Sequence, residues 1–366
     1  MDTANTPPDA PPKYQLELNP LKRIPLLKAH AHAHAHPPPK PPTHLPVAKK
    51  SHTHPSDTST SAHPPNTNKK TSASLYFIGT ATTVLEWRGI RILTDPNFLH
   101  AGDHVHLGPG VTAKRLTNPA VDLDALPPLD CILLSHYHAD HFDQLVEASL
   151  NRQFPIISTP HAKKELTNKP DAFQAVYDLD FFESMMLPVV LPPGVEGMAG
   201  KPVVKVTGMP GKHVPPGILS MANDVAGAVP PTNGWMLELG SVAEGGAAPG
   251  EVETGCRIYI SGDTLFVDEL KEIPKWLKNE KIDLMLVHLG GTTIPGPSLP
   301  LLMVTMDAKQ GVQLMQLMDP EVTVPIHFDD YDVFLSPLGD FKEEVEKAGW
   351  GKRVVYLDRG MSIGLR

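Results

Sequence analysis

The run Cys131-Ile132-Leu133-Leu134 is apolar throughout and reads as a buried strand. It stops on Ser135-His136-Tyr137-His138-Ala139-Asp140-His141, which sets four metal-ligand side chains within six residues. Phe142 to Leu150 then reads as a short amphipathic helix. Three imidazoles and a carboxylate at the end of a buried strand are too polar to bury unpaired. Neutral imidazole and carboxylate are common ligands for a divalent metal, zinc first among them. His136 and His138 lie two apart, so an extended loop can aim both at one ion. Asp140 and His141 follow where the chain turns into the helix, and can reach a second ion nearby.

The same context recurs along the chain. Ser74 to Gly79 and Thr82 to Trp87 read as strands joined by Gly79-Thr80-Ala81, and Arg88-Gly89 is a turn signal. The next strand, Ile90 to Thr94, ends at Asp95-Pro96. Asp95 either closes its strand beside the ligand loop or caps a turn. Val203 to Thr207 is a strand that runs into Gly208-Met209-Pro210-Gly211-Lys212-His213. Arg257 to Ile260 ends in Ser261-Gly262-Asp263-Thr264, and a carboxylate there is well placed to bridge two ions. Ile282 to Leu286 leads into Val287-His288-Leu289-Gly290-Gly291, and Val322 to Ile326 ends in His327. Five strands thus end in a ligand or near-ligand: Asp95, His136, His213, Asp263 and His327. Asp307 to Met318 and Pro337 to Ala348 read as helices, Leu265 to Asn279 as a helix broken at Pro274, and Arg353 to Leu357 as a closing strand. Strand pairs interleave with helices twice over, which fits two packed sheets with helices on both outer faces. His104 and His106 fall in the long loop His100 to Pro128 and read as loop residues near the mouth of a site.

The string His136, His138, Asp140 and His141 resembles the HxHxDH signature of the metallo-β-lactamase superfamily. The resemblance covers about residues 74 to 366 and implies an α/β fold, the αββα metallo-β-lactamase sandwich, with metals along one edge. It implies three further ligands, which His213, Asp263 and His327 match in order. One ion would take His136, His138 and His213, the other Asp140, His141 and His327, and Asp263 would bridge them. Two divalent ions follow, Zn2+ first, with Mn2+ or Fe2+ as alternatives, and Asp140 and Asp263 become catalytic candidates. The reaction implied is hydrolysis of an ester, lactone, amide or phosphodiester bond of a soluble small molecule by metal-bound hydroxide. Gly262-Asp263-Thr264, Met306-Asp307-Ala308 and Val324-Pro325-Ile326-His327-Phe328 look like the branch that includes ascorbate-6-phosphate lactonase and N-acyl phosphatidylethanolamine phospholipase D. The chain departs from that branch at Val287-His288-Leu289-Gly290, where an apolar stretch ending in Pro-Ile-Gly is usual. His288 is read as a candidate catalytic acid or substrate group, or else as a satisfied strand-end histidine.

The alternatives are a metal-dependent nuclease or phosphodiesterase, an iron-dependent oxygenase of the same fold, and a non-catalytic scaffold. A formal net charge of −9 argues against a nucleic-acid partner. Two cysteines, Cys131 and Cys256, each in an apolar run, give no disulfide framework and fit a reducing, cytoplasmic setting. No run of 18 apolar residues suggests a transmembrane helix, and Met1 to Pro12 holds no apolar signal core. Residues 1–71 carry 15 of the 40 prolines and the alternating Ala29-His30-Ala31-His32-Ala33-His34-Ala35-His36. They are expected to form a disordered Pro/His-rich tail, since they offer too little apolar surface to offset ordering entropy, with Tyr14 to Leu27 as a weak docking segment. The hydrolase domain is then residues 72–366, with oligomeric state open.

Overall fold

A computed structural model of the protein describes residues 7–8, 10–29, 41–54, 73–108, 111–194, 200–215, 223, 229–243, 250–278, 280–296 and 299–365. Two mixed sheets face each other. The first has seven strands in the order β1 (Tyr14–Gln15), β11 (Ser184–Pro188), β12 (Lys201–Met209), β13 (Gly234–Val242), β14 (Glu253–Ile260), β15 (Leu284–His288) and β18 (Val322–Ile326). The second has eight, in the order β10 (Val176–Asp178), β9 (Ile156–Ser158), β8 (Cys131–Leu133), β5 (Ile90–Thr94), β4 (Thr82–Trp87), β3 (Ala73–Gly79), β19 (Ser362–Leu365) and β2 (Ser51–His52). Two small hairpins stand apart: β6 (His104–Gly108) with β7 (Val111–Lys114), and β16 (Thr293–Gly296) with β17 (Leu299–Met303).

Alternation along the strands makes the layers. In β15, Leu284 and Leu286 face the other sheet while Met285 and Val287 face outward into the helices. In β3, Leu75 and Phe77 point inward, and Tyr76 and Ile78 outward. A strand covered on both faces must be apolar on both, which is why these segments read as continuous runs. On the outer face of the first sheet lie α3 (Glu272–Leu277), α4 (Ala308–Met318) and α5 (Leu338–Lys347), burying residues such as Ile273, Met315 and Phe341. On the outer face of the second lie α1 (Gln144–Ser149) and α2 (Pro160–Thr167), which bury Val146 and Leu166. This is the expected αββα sandwich.

Local signals start the helices where the sequence places them. Asp307 caps α4 by accepting from the Gln310 amide, Thr159 caps α2 with Pro160 at its first position, and Asp143 caps α1 through the amides of Leu145 and Val146. Pro274 falls in the first turn of α3, where no intrahelical donor is needed, so the helix starts late rather than breaking. Arg353 to Leu357 makes only a bridge from Val354 to Thr323 and is not a strand.

The expectation of an unstructured tail does not hold for residues 10–29 and 41–54. Tyr14-Gln15 adds a parallel strand to β11, and Leu18, 2% exposed, sits in the core between the sheets. Leu27 bridges to Leu150 beyond α1, and Ser51-His52 pairs with β19. The segment therefore has an apolar and backbone complement that composition alone hides. The alternating histidines His30 to His36 lie outside the described residues.

Candidate metal centre

The parallel strands β5, β8, β14, β15 and β18 all end at one edge of the sandwich, and the side chains that follow them meet there. Asp95 and His327 each turn out of a strand with left-handed backbone, φ 34° and 61°. That conformation costs a non-glycine residue about 1–2 kcal/mol. Gly262, φ 61°, makes the turn that presents Asp263, and a Cβ there would lie 2.2 Å from the Asn233 carbonyl oxygen. No other residue fits that turn without moving the neighbouring backbone.

The ligand-type atoms fall into two buried groups that share Asp263, and a third group, Asp95, His141 and His288, shares His141 with the first of these. Asp140, His141, Asp263 and His327 form one, and His136, His213 and Asp263 the other, each with its atoms within 4.8 Å of one another. His141 Nε2 lies 3.2 Å from Asp263 Oδ2, and His327 Nε2 lies 3.5 Å from Asp140 Oδ2. His136 Nε2 and His213 Nε2 approach to 3.1 Å.

The outer nitrogens are already engaged. His213 Nδ1 donates to the Val304 carbonyl and His327 Nδ1 to the Leu289 carbonyl, both at 2.9 Å. His141 Nδ1 faces Asp95 Oδ2 at 3.1 Å. The Ser135 hydroxyl donates to Asp95 Oδ2 and so accepts from His136 Nδ1 at 2.9 Å. Four rings are thereby fixed with Nε2 turned inward, the arrangement by which outer partners set the tautomer and aim of a metal-binding histidine. Inside the group, His141 Nε2, His327 Nε2, Asp140 Oδ1 and Asp263 Oδ1 are buried and make no well-directed hydrogen bond. Buried polar atoms left this way call for an explanation, and a cation between them supplies one.

Charge follows the same layout. Burial opposes ionisation of Asp140 and Asp263, yet the neighbouring histidines, His141 beside Asp140 and His327 beside Asp263, hold both carboxyls well below their usual range. Burial likewise works against protonated His141 and His327, but the Asp263 and Asp140 carboxylates outweigh it and raise both. Burial pushes His213 down to about 4 and His136 well below the ordinary imidazole range, so both are neutral donors at pH 7. A donor set of imidazoles and carboxylates suits zinc, manganese or iron. The residues present fit a metal ion of that kind.

Not every expected residue joins. His138 is turned the other way: its Nε2 lies 3.2 Å from the Leu107 carbonyl oxygen and its Nδ1 3.0 Å from Asp140 Oδ1. It lines the cleft beside the two groups without belonging to either. His288, read from the sequence as a catalytic candidate or a strand-end histidine, has a buried Nε2 without a hydrogen-bond partner. It is fully buried, stacks on His141 at 6.0 Å between centroids, and lies 3.7 Å from Asp95 Oδ2 and 3.3 Å from Ser261 Oγ. It is not among the residues that line the cleft, because β15 delivers it behind His141 rather than over it. His104 and His106 are exposed on β6, where the alternate residues Val105 and Leu107 are buried. Asp95, open between site and cap, is a site residue that buttresses His141 and Ser135. Ser135 and Thr305, whose hydroxyl donates to Asp263 Oδ2 at 3.3 Å, are the members that the sequence did not reveal. Ser135 had a signal in its place directly before His136; Thr305 had none.

Comparison with known proteins agrees with this architecture. The family model described as "Beta-lactamase superfamily domain" matches residues 90–328. A UPF0173 metal-dependent hydrolase from Salinibacter ruber is 24% identical over 281 residues, covering 76% of this chain and 95% of the relative. Among solved structures, a possible metal-dependent hydrolase from Veillonella parvula superposes with a TM-score of 0.59 at 16% identity, covering 80% of this chain and all of the other. An isothiocyanate hydrolase from Delia radicum gut bacteria gives 0.58 at 17% identity, covering 79% of this chain and 98% of the other.

Proposed function

The chain belongs to the β-lactamase superfamily and is a metallo-hydrolase of that fold, and from that premise we propose that it binds two divalent ions, zinc by preference, and hydrolyses a small molecule. The observation that carries the reading is the inward turn of four Nε2 atoms beside two carboxylates, with His141 Nε2, His327 Nε2, Asp140 Oδ1 and Asp263 Oδ1 buried and without a well-directed hydrogen bond. His136 and His213 would hold one ion, Asp140, His141 and His327 the other, with Asp263 common to both, and His138 would have to turn from the Leu107 carbonyl to join the first. Bound there, such ions make a water acidic enough to attack near neutral pH and withdraw electrons from the bond under attack.

The chain's own residues do the rest. Asp95 and Ser135 hold the rings of His141 and His136 in place. The Leu289 and Val304 carbonyls keep a proton on the outer nitrogens of His327 and His213. Asp140 and Asp263 both line the cleft, so either carboxylate can orient a water or take its proton. The motif strings after β14 and β18 support a place near the branch with ascorbate-6-phosphate lactonase. Two buried, unpaired cysteines support a cytoplasmic setting. Among the described residues no helix is long and apolar enough to cross a membrane.

Elemental analysis tests the reading. The protein with His30, His32, His34 and His36 replaced by alanine, which removes the alternating histidines as a competing sink, should retain close to two equivalents of zinc after desalting. A panel of lactones, aryl esters, acyl amides and phosphodiesters should then show turnover that a chelator abolishes and zinc restores. Retention of no metal in zinc-replete buffer would sink the proposal. Turnover that needed iron and dioxygen would replace it with the oxygenase alternative.

A further inference from the structure

The cleft over Asp140 and Asp263 is walled by Leu107, Val111, Val229 and Val304, all buried, together with the uncharged side chains of Thr292, Thr293 and Thr305. A second hollow shares His213 and Val229 with it and is lined by Phe181, Val214, Pro230 and Pro231. Space for a substrate therefore leads away from the ligand carboxylates along apolar walls. The cation in that hollow, Lys212, is ion-paired with Glu269. His161, also in its lining, has a buried Nδ1 without a hydrogen-bond partner, and burial lowers its pKa, so it meets a ligand as a neutral ring.

Among the described residues that line the two spaces, Lys212 is the one lysine or arginine. A phosphodiester keeps a negative charge at every working pH. Enzymes that take such groups meet them with arginine, lysine or helix N-termini in addition to metal. Here, beyond the metal ligands, the charge would lie against valine, leucine, proline and neutral threonine, with Lys212 already paired to Glu269, and unpaired burial is costly.

We propose, building on the hydrolase reading, that the substrate is an uncharged carbonyl compound, an ester, lactone or amide with an aliphatic or aromatic acyl part that lies along the Val229 wall. In the reaction the oxygen of water bonds to the acyl carbon, the acyl C–O or C–N bond breaks, and a proton passes to the departing oxygen or nitrogen. No oxidant or reductant is needed. Val229 and Phe181 are specificity-determining residues: they set which acyl group is bound and take no part in the bond change.

Full-length, zinc-loaded protein tests this with p-nitrophenyl acetate, butyrate and hexanoate, and with 2-octanone and dibutyl phosphate as inert competitors. kcat/KM should rise by about three- to fourfold per added methylene, the factor expected for burying one CH2 group. The ketone should compete at lower concentration than the phosphate anion. Val229→Asp should flatten the dependence on acyl length while zinc content stays at the wild-type value, and Phe181→Ala, at a partly exposed site, should weaken it even if Val229→Asp does not fold. A zinc-loaded protein with no acyl-length dependence, or with tighter binding of dibutyl phosphate than of the ketone, would overturn the substrate class and leave the hydrolase reading standing. Ester turnover seen only with phosphatidylcholine vesicles present would also overturn it, since the apolar walls would then serve a lipid surface. Protein that binds no zinc defeats the hydrolase reading first and this proposal with it.

Discussion

Residues 136–141 and residues 13–28 are both short, polar in part, and placed at the rim of the sandwich, yet they satisfy their polar atoms in opposite ways. In the N-terminal segment the main charges find partners. Lys13 bonds Asp178 and Glu183, Tyr14 donates to Asp178 Oδ1 at 2.7 Å, and Arg23 forks onto both oxygens of Asp130. In the ligand loop, atoms as buried as those of the core are left without aligned partners. A protein tolerates the second state where something outside the chain completes it. The first segment is a structural clasp, and the second is a site.

The comparison breaks first at the ligand carboxylates. Asp263→Asn removes the charge common to both groups, so bound metal should fall below two equivalents. Activity should drop by more than about a hundredfold, beyond the 10–100-fold typical of changes to outer partners. Metal analysis and kcat/KM on the same preparation check this.

The clasp should respond in the opposite sense, with stability lost and metal kept. Leu18→Ala should cost about 2–4 kcal/mol, as for other buried leucines, with zinc content unchanged. If the variant were as stable as the wild type, residues 13–28 would be an ornament on the fold rather than part of it. Deleting residues 1–29 should lower Tm for the same reason.

His288 tests the boundary between the two behaviours. It sits behind His141 and contacts Asp95 and Ser261 rather than the cleft. His288→Ala should weaken metal affinity by about tenfold through loss of an outer partner, with a smaller effect on activity than Asp263→Asn once metal is saturating. Equal losses in the two variants at full metal occupancy would return His288 to the chemistry.

The smallest effect belongs to pH. Burial raises the Asp178 carboxyl, but Lys163, Tyr14 and Lys13 outweigh it and hold it well below the ordinary range. A depressed folded-state pKa gives stability that is present above the unfolded value, about 3.9, and is lost as pH falls through the folded one. The stability difference between wild type and Asp178→Asn should therefore be constant near neutrality and shrink below about pH 4. Denaturant midpoints measured from pH 7 down to pH 3 would show it.

The sequence alone determined the ligand loop, the sandwich and most of the strand ends. His136 to His141 lie on one local turn after an apolar strand, and the alternation in β3 and β15 is written in consecutive residues. Such features depend on neighbours a few positions away, and short-range spacing is enough to read them. The tertiary structure alone decided what depends on distant partners. Lys13 meets Asp178 across 165 positions, and Leu18 finds its place only because β11 offers a free edge. The turn of His138 toward Leu107, the burial of His288 behind His141 and the contact of Thr305 with Asp263 have the same origin. Strand order sets which residues face each other across a sheet or at its edge, and order is a property of the packed sandwich, fixed when both faces of both sheets are buried together.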